Sequence, residues 1–227
     1  AGSSNLELSQ EIADYLGIEL GKVKLADFSN GEIYVKFLES VRGADVFVLQ
    51  TLSTPVNKHL MQLLIMIDAL KRASAERISA VVPHYGYARQ DKKTTAREPI
   101  TAKLVADLLS TAGINRLLSM DLHAGQIQGF FNVPVDHLTA LPVLASYFAE
   151  KKFKNLVVVS PDVGRVKLAK KFADKLGAEL AILHKIRPAH NVAEIGQVVG
   201  DVKDKTCLLV DDMIDTAGTI TEGAKTL

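Results

Sequence analysis

Hydrophobic residues along the chain are grouped into short apolar runs, and amphipathic stretches of helical length separate most of these runs. Six of the runs have the length and composition of buried strands, at residues 46–50, 78–83, 116–121, 156–160, 179–184 and 206–211. Strands that alternate with helices predict βα units and mainly parallel sheets. The pattern therefore indicates an α/β fold in which helices flank the sheets.

The amphipathic stretches and the turn residues add boundaries to this pattern. Helices are predicted over residues 55–72, 99–112 and 163–176, and from residue 142 onward. Ser4 and Glu7 form a capping-box pattern for a first helix, and Asn30-Gly31 between two short alternating segments indicates a β-hairpin. The helix that begins at residue 142 favours two domains, residues 1–138 and 139–227.

Composition excludes several classes of protein. With 227 residues, 48% of them hydrophobic, and a formal net charge of +1, the chain is typical of a globular protein, and neither a nucleic acid nor a membrane is favoured as a partner. The single cysteine, Cys207, excludes internal disulfides and a thiolate-rich metal site, and it favours a reducing, cytoplasmic setting. The longest apolar stretch, residues 60–70, is too short to span a bilayer.

The strand predicted at the end of the chain, which we expect to be buried on both faces, runs directly into two adjacent acids, Asp211 and Asp212. Ligands of open α/β sheets bind beyond the carboxyl ends of such strands. The small residues that follow can present backbone N–H groups to a phosphate, and Thr219 with Glu222 forms a capping-box pattern for the next helix. Carboxylates beside a phosphate cradle predict a phosphoribosyl site, with an ordinary solvated strand–turn–helix junction as the alternative.

Charged and polar residues that could bind a ligand also follow other predicted strands. Residues 83–98 combine basic side chains with tyrosines, which suits a nucleotide, although a solvated loop or a nucleic-acid patch is the alternative. Asp121 and His123 point the same way in extended chain and, with Asp162, could bind a divalent cation; a hydrogen-bonded Asp–His couple is the alternative.

A basic segment leaves the strand predicted at residues 179–184 and is interrupted by Pro188. Lys185 and Arg187, separated by one residue, project to the same side if the chain is extended, so both could reach one phosphoryl group. Exposed loop charges without a function are the alternative.

Taken in order, these motifs resemble the class I ribose-phosphate pyrophosphokinases, also called phosphoribosyl pyrophosphate synthetases. The resemblance rests on residues 28–32, 39–43, 70–73, 87–91, 121–136, 160–162, 191–194 and 211–219. Plain phosphoribosyltransferases share the last motif but lack the signature at residues 121–136. Two departures are visible: many members have glycine where Arg165 stands and a basic residue where Ile186 stands.

The resemblance implies two tandem phosphoribosyltransferase-like domains with mainly parallel sheets, the second incomplete. It assigns ATP to Asn30, Gly31, Glu32, Arg89 and Gln90, and Mg²⁺ to His123 and Asp162, with Asp121 as a further candidate. It assigns catalysis to Lys185 and Arg187, and ribose 5-phosphate to Arg187, Asp211, Asp212, Asp215, Thr216, Ala217, Gly218 and Thr219. It also implies a hexamer assembled from dimers, with ADP as an inhibitor and inorganic phosphate as an activator that binds at Ser40 and Arg42.

The reaction implied is transfer of the pyrophosphoryl group of ATP to the C1 hydroxyl of ribose 5-phosphate, which gives phosphoribosyl pyrophosphate and AMP. A non-catalytic regulatory subunit and a phosphoribosyltransferase are the alternative functions. The resemblance also suggests that a strand precedes Ala1 and that the family chain continues past Leu227, so the chain as printed is expected not to be a competent enzyme by itself.

Overall fold

The computed structural model describes residues 1–189 and 192–227, and it describes side chains for residues 1–184 and 197–227. The chain divides into two compact units, Ala1–Leu138 and Thr139–Leu227. Among the described residues, no helix combines the length and the apolar character that crossing a membrane requires.

The first unit is an α/β structure with a small hairpin. Its elements are α1 (Leu6–Leu16), β1 (Val23–Asp27), β2 (Ile33–Phe37), β3 (Asp45–Leu49), α2 (Val56–Arg72), β4 (Arg77–Val82), α3 (Thr101–Ala112), β5 (Arg116–Met120), a 3₁₀ helix (Gly125–Phe130) and β6 (Val135–Leu138). Strands β3, β4, β5 and β6 form a parallel sheet in that order, while β1 and β2 pair antiparallel.

The core of the first unit lies where α2 and α3 pack beside the parallel sheet. Helix α2 buries Leu63, Met66, Ile67 and Leu70, which recur at the spacing of one helix face. Because all four strands are parallel, their carboxyl ends lie at one edge of the sheet, and the loops after β4 and β5 emerge there.

The second unit has a four-stranded mixed sheet. Its elements are α4 (Leu141–Glu150), β7 (Leu156–Ser160), a 3₁₀ turn (Val163–Arg165), α5 (Val166–Leu176), β8 (Glu179–Ala189), β9 (Val192–Val199), β10 (Thr206–Leu209) and α6 (Gly218–Thr226). The strand order is β10-β7-β8-β9, in which β10, β7 and β8 are parallel and β9 is antiparallel.

The strand predictions need correction at four strands. Strand β8 continues through Pro188 to Ala189, because its antiparallel pairing with β9 carries register shifts that accommodate the proline. Neither β9 nor the four-residue β6 was predicted, since β9 lacks a continuous apolar run and β6 is short. Strand β10 is not buried on both faces: within the described chain it pairs with β7 alone, and its residues from Cys207 to Leu209 are only half-buried.

The predicted helix caps are also wrong in detail. Helix α1 is capped by Asn5, whose Oδ1 accepts a hydrogen bond from the Leu8 N–H at 3.0 Å, because the Ser4 hydroxyl instead accepts the Thr51 N–H at 2.8 Å. Helix α6 begins after Ala217, which has a left-handed φ of 60° and gives no side-chain cap, so Thr219 is not the N-cap. Helix α5 begins three residues later than predicted, because the 3₁₀ turn precedes it.

Candidate functional site

The two acids of the predicted phosphoribosyl site lie directly beyond β10. The Val210 N–H donates to the Val159 carbonyl at 3.1 Å, which continues the β10–β7 pairing by one residue. Asp211 and Asp212 therefore leave the sheet at the carboxyl ends of two adjacent parallel strands, where ligands of such sheets bind. The Asp212 N–H donates to Asp211 Oδ1 at 2.9 Å, which fixes the first carboxylate against the backbone of the second.

Arg165 pairs with both acids. Its Nε lies 2.8 Å from Asp212 Oδ1 and 3.6 Å from Asp211 Oδ1, and the side chains of Arg165 and Asp212 are only 21% and 9% exposed. An ion pair with this little solvent is screened much less than one on an open surface. In the sequence analysis Arg165 was noted only as a departure from the family pattern. No local spacing rule connects it with acids some 46 positions later.

The environment of Asp211 makes it a weaker acid than usual. Burial, reinforced by the neighbouring Asp212 carboxylate, raises the pKa of Asp211 to about 6, and the Arg165 guanidinium opposes this increase. Asp211 is therefore mostly ionised near neutral pH but becomes protonated under mildly acidic conditions.

The loop after the acids leads into the N-terminus of a helix. Residues 211–217 lead into α6, a nine-residue helix whose N-terminus follows the left-handed Ala217. Asp215, Thr216 and Gly218 are exposed, and Thr219 is half-buried. Backbone N–H groups at a helix N-terminus, together with the positive end of the helix dipole, favour an anion at this position.

Asp162 lies just beyond the end of β7, the strand that pairs with β10 in the sheet. Its Oδ1 accepts hydrogen bonds from the N–H groups of Gly164 and Arg165 at 2.8 and 3.1 Å, so it caps the 3₁₀ turn. The fully buried Ser160 hydroxyl donates to the Asp162 carbonyl at 2.7 Å. These three bonds fix the Asp162 backbone and one carboxylate oxygen.

The segment with Asp121 and His123 is a strained turn rather than extended chain. Asp121 has a φ of 44°, a left-handed conformation that is uncommon outside glycine and often found at functional sites. The extended chain on which Asp121 and His123 were predicted to point the same way is therefore not present at Asp121. Both side chains are half-buried at the carboxyl end of β5.

A residue missed by the sequence analysis, His137, holds this turn in place. The N–H of Leu122, which lies between Asp121 and His123, donates to His137 Nε2 at 3.0 Å, so this ring nitrogen is the acceptor. The Asp121 N–H donates to the Leu138 carbonyl at 2.9 Å. Since β5 and β6 are parallel neighbours, the end of β6 supports the turn that leaves β5.

The loop after β4 is fixed by buried anchors and presents exposed basic residues. The buried Tyr85 hydroxyl donates to the Ala102 carbonyl at 2.9 Å, and the buried Asp91 carboxylate accepts from Gln126 Nε2 at 2.8 Å. The second bond ties this loop to the 3₁₀ helix after β5. Arg89 and Gln90 are exposed, and the Gln90 carbonyl accepts the Ala102 N–H at 3.1 Å.

Further along the same loop, Glu98 organises a tight turn. Its carboxylate accepts hydrogen bonds from the Thr94 N–H and hydroxyl, both at 2.7 Å, and from the Thr95 N–H at 2.9 Å. These bonds lower the pKa of Glu98 to about 2, because they stabilise the ionised carboxylate. The loop therefore has hydrogen bonds that fix it near both ends, although residues 92–97 are exposed to solvent.

The hairpin tip carries the remaining residues assigned to ATP. Gly31 has a φ of 87°, a conformation suited to glycine, and the Glu32 N–H donates to Asn30 Oδ1 at 3.1 Å. Asn30, Gly31 and Glu32 are all exposed. Phe28 and Tyr34 flank the tip with their rings edge to face, 5.9 Å between centroids, and both are partly exposed.

Several predicted residues have little or no described environment. Lys185 and Arg187 lie in β8 near its register shifts, but their side chains are outside the described residues. His190 and Asn191, which belong to the same basic segment and the following motif, also lie outside them. Ser40 and Arg42 are exposed in the connection between β2 and β3.

The candidate metal ligands do not form a protein-only cage. Within the part of the chain that the structure describes, no group of three or more His, Cys, Asp or Glu side chains could hold a metal ion together. Asp121 and His123 belong to the first unit, and Asp162 belongs to the second. A single carboxylate such as Asp121 or Asp162 is a chemically suitable ligand for Mg²⁺, which commonly takes only one or two protein ligands and completes its shell with water and substrate phosphates.

Comparison with known proteins identifies the family. The N-terminal domain of ribose phosphate pyrophosphokinase matches residues 1–113, and the phosphoribosyl transferase domain matches residues 142–227. The ribose-phosphate pyrophosphokinase of Clostridium tetani is 60% identical over the whole chain, which spans 72% of that protein. The chain belongs to the ribose-phosphate pyrophosphokinase family. The Clostridium perfringens relative of the same name is 62% identical, again over the whole chain and 72% of the relative.

A solved structure agrees with this assignment. The crystal structure of phosphoribosylpyrophosphate synthetase from Mycobacterium smegmatis superposes with a TM-score of 0.92 at 54% identity, over the whole chain and 74% of that protein. The prediction of an α/β ribose-phosphate pyrophosphokinase with two phosphoribosyltransferase-like units is therefore confirmed. The assigned roles of single residues stay predictions.

Proposed function

We propose that this ribose-phosphate pyrophosphokinase transfers the pyrophosphoryl group of ATP to the C1 hydroxyl of ribose 5-phosphate, giving phosphoribosyl pyrophosphate and AMP. The observation that carries the proposal is the acid pair Asp211 and Asp212, placed at two parallel strand ends and followed directly by the loop and N-terminus of α6. Carboxylates accept hydrogen bonds from sugar hydroxyls, and the loop N–H groups with Asp215 to Thr219 accommodate the 5-phosphate.

In the proposed reaction, the C1 oxygen attacks the β-phosphorus of ATP in line with the departing oxygen. The new bond joins the C1 oxygen to the β-phosphorus, and the bond from that phosphorus to the oxygen bridging it to the α-phosphorus breaks, which releases AMP. The proton of the C1 hydroxyl is released to water. Negative charge increases on the β-phosphate oxygens and on the leaving oxygen. Catalysis of such transfers is mostly positioning and electrostatic stabilisation, and Lys185 and Arg187 supply positive charge for it.

The first unit supplies the proposed ATP contacts. The exposed aromatic pair Phe28 and Tyr34 beside the hairpin tip can stack on a purine, and Asn30 to Glu32 offer it polar groups. Arg89 and Gln90 are presented by a loop whose backbone is anchored to α3 and to the 3₁₀ helix. A fixed backbone under an exposed arginine suits the recognition of a triphosphate.

Mg²⁺ is the proposed cofactor, and His123 and Asp162 would hold it, with Asp121 as a further candidate. When bound, it supplies positive charge to the polyphosphate oxygens. What supports the proposal is the carboxylate of Asp162, which follows β7 and is fixed by the backbone N–H groups of Gly164 and Arg165.

The function is tested by measuring AMP formation from ATP and ribose 5-phosphate by the purified enzyme. We expect AMP in amounts equal to the phosphoribosyl pyrophosphate formed. A non-catalytic regulatory subunit would form neither product. A phosphoribosyltransferase would instead consume phosphoribosyl pyrophosphate when a nucleobase is supplied, so that outcome would refute the proposal.

Removing either of two proposed metal contacts should increase the Mg²⁺ concentration that gives half-maximal activity. We expect this for His123→Ala and for Asp162→Asn, by about tenfold or more. The asparagine variant keeps an Oδ1 that can cap the 3₁₀ turn, so it removes charge with little structural change. A Mg²⁺ titration that is unchanged in the double variant would show that these residues have structural roles only.

Replacing His137 by leucine should weaken the response to Mg²⁺ without touching a proposed ligand. The variant leaves the N–H of Leu122, a residue only 7% exposed, without its acceptor, which costs about 1–3 kcal/mol and releases the Asp121–His123 turn. We expect an increase of about fivefold or more in the half-maximal Mg²⁺ concentration. His137→Gln can present an oxygen near the Nε2 position, so it should recover much of the loss; equal defects in both variants would contradict the assigned role.

Ribose 5-phosphate binding should become tighter as pH rises from about 5 to about 8, because the Asp211 carboxylate must be ionised to accept two hydroxyl hydrogen bonds. The sugar phosphate itself ionises near pH 6, at about the same pH as Asp211. Calorimetry on Asp211→Asn therefore gives the control. The ratio of parent to variant affinity should increase with a midpoint near pH 6, and a constant ratio would exclude Asp211 as the titrating group.

The raised pKa of Asp211 makes stability and substrate binding change in opposite directions with pH. Folded Asp211 binds its proton more tightly than the unfolded chain does, so its contribution to stability decreases as pH rises from about 4 to above 6. Tighter substrate binding and a smaller contribution to stability thus accompany the same deprotonation.

We further propose the assembly and regulation that the family resemblance implies. These are a hexamer built from dimers in the cytoplasm, inhibition by ADP, and activation by inorganic phosphate at Ser40 and Arg42. Both residues are exposed, as a surface phosphate site requires, and the lone Cys207 suits a reducing compartment. Light scattering, together with activity measured against phosphate in Arg42→Ala, tests the assembly and the effector site separately.

A further inference from the structure

We propose that Arg165 is a positioning residue for the sugar: its guanidinium holds the Asp211 and Asp212 carboxylates side by side, so that they can accept hydrogen bonds from the ribose hydroxyls. This inference rests on the proposed function. It assigns a role to a side chain that has no direct part in the chemistry described above.

The geometry identifies Arg165 as the connection between two strand ends. Its Nε contacts Asp212 Oδ1 at 2.8 Å and lies 3.6 Å from Asp211 Oδ1, both beyond β10. Its backbone N–H donates to Asp162 Oδ1 at 3.1 Å, beyond β7. One residue therefore fixes the acid pair relative to the capped turn of the neighbouring strand.

Electrostatics explains why a cation is needed at this point. Two adjacent carboxylates that are mostly removed from water repel each other, and both must approach a substrate that carries a doubly negative phosphate. A guanidinium between them lowers that repulsion without competing as a hydrogen-bond acceptor, since arginine has donors only. The planar guanidinium also fixes orientation better than a flexible ammonium group.

The first test compares substrate affinities. In the full chain, Arg165→Leu should increase the Kd and the KM for ribose 5-phosphate about tenfold or more, as expected for loss of a charge-assisted contact, while the KM for ATP stays within about twofold. Arg165→Lys, which keeps the charge, should recover part of the loss. Lys167→Leu removes the same charge from an exposed side chain two residues away and should leave both constants unchanged.

A double-mutant cycle distinguishes positioning from direct contact with the substrate. If Arg165 acts through the acids, Arg165→Leu combined with Asp212→Asn should bind ribose 5-phosphate no more weakly than the poorer single variant. Additive losses would mean that Arg165 contacts the substrate itself and would overturn the inference. Should Arg165→Leu fail to fold, Arg165→Gln, which keeps N–H donors without the charge, replaces it in the cycle.

The outcomes also separate this inference from the proposed function. A parent enzyme that neither binds ribose 5-phosphate nor forms AMP would refute the function. A parent enzyme that does both, with Arg165→Leu binding the sugar phosphate equally well, would refute the role of Arg165 alone.

Discussion

Gly200→Ala is expected to destabilise the second unit far more than a glycine-to-alanine substitution whose added Cβ meets no other atom. Gly200 has a φ of 117°, and a Cβ added there would lie 2.9 Å from Ala181 Cβ, 3.0 Å from Ala181 Cα and 3.1 Å from the Leu180 carbonyl oxygen. These atoms belong to β8, and Ala181 is completely buried, so the strand cannot move away without disturbing the core. Backbone strain and overpacking together predict a loss of about 2–5 kcal/mol.

The single cysteine makes this prediction measurable for the second unit alone. Cys207 lies in β10 and packs against the cluster that contains Ala181, so its rate of reaction with a thiol reagent in increasing urea reports unfolding of that unit. Gly177→Ala is the matched control: Gly177 has a φ of 60°, but its Cβ would meet no atom within 4 Å. We expect a loss of only about 1–2 kcal/mol there, and equal losses in the two variants would contradict the steric argument.

The sequence predicted the fold well wherever local pattern and long-range packing agree. Strands β3, β4, β5 and β7 have continuous apolar runs because helices or neighbouring strands cover them, and such runs are visible without a structure. Strand β9 could not be found in this way, since its place depends on antiparallel pairing with β8 rather than on its own composition.

In the candidate site, too, residues that are contiguous in sequence could be predicted, whereas contacts between distant residues could not. Asp211, Asp212 and the loop after them could be predicted because a strand end and a following turn are contiguous in sequence. The contacts of Arg165 with the acids and of His137 with Leu122 join residues that only the sheet brings together. Likewise, Ser4 matched a capping box but accepts a hydrogen bond from the distant Thr51 instead.

These long-range contacts change what the local motifs can do. Beside Asp212 alone, Asp211 would hold its proton more tightly, whereas the Arg165 guanidinium opposes the increase in the pKa of Asp211. In the same way, the Asp121–His123 turn has a strained backbone that is supported from the end of β6. The motif residues therefore depend on supporting side chains that a motif search does not include.

Lys185→Ala should have the largest effect on catalysis. Its proposed task is to stabilise negative charge that increases on the β-phosphate oxygens only as the C1 oxygen attacks, so its removal should lower kcat rather than substrate affinity. Loss of one preorganised donor of this kind costs about 2.7–4 kcal/mol, or about 10²–10³ in kcat. We expect the Kd for ribose 5-phosphate to change by less than about threefold, because the proposed contact of Lys185 stabilises the transition state and not the bound substrate.

Steady-state AMP formation and calorimetry on the same preparation separate these two effects. Arg187→Ala should lower kcat to a similar degree, but it should also weaken ribose 5-phosphate binding, because Arg187 is assigned to both roles. Lys203→Ala is the control, since Lys203 is an exposed lysine of the same unit with no proposed part in the reaction. Turnover of Lys185→Ala within about threefold of the parent would rule out charge stabilisation by this lysine, because the expected loss is at least about 10²-fold.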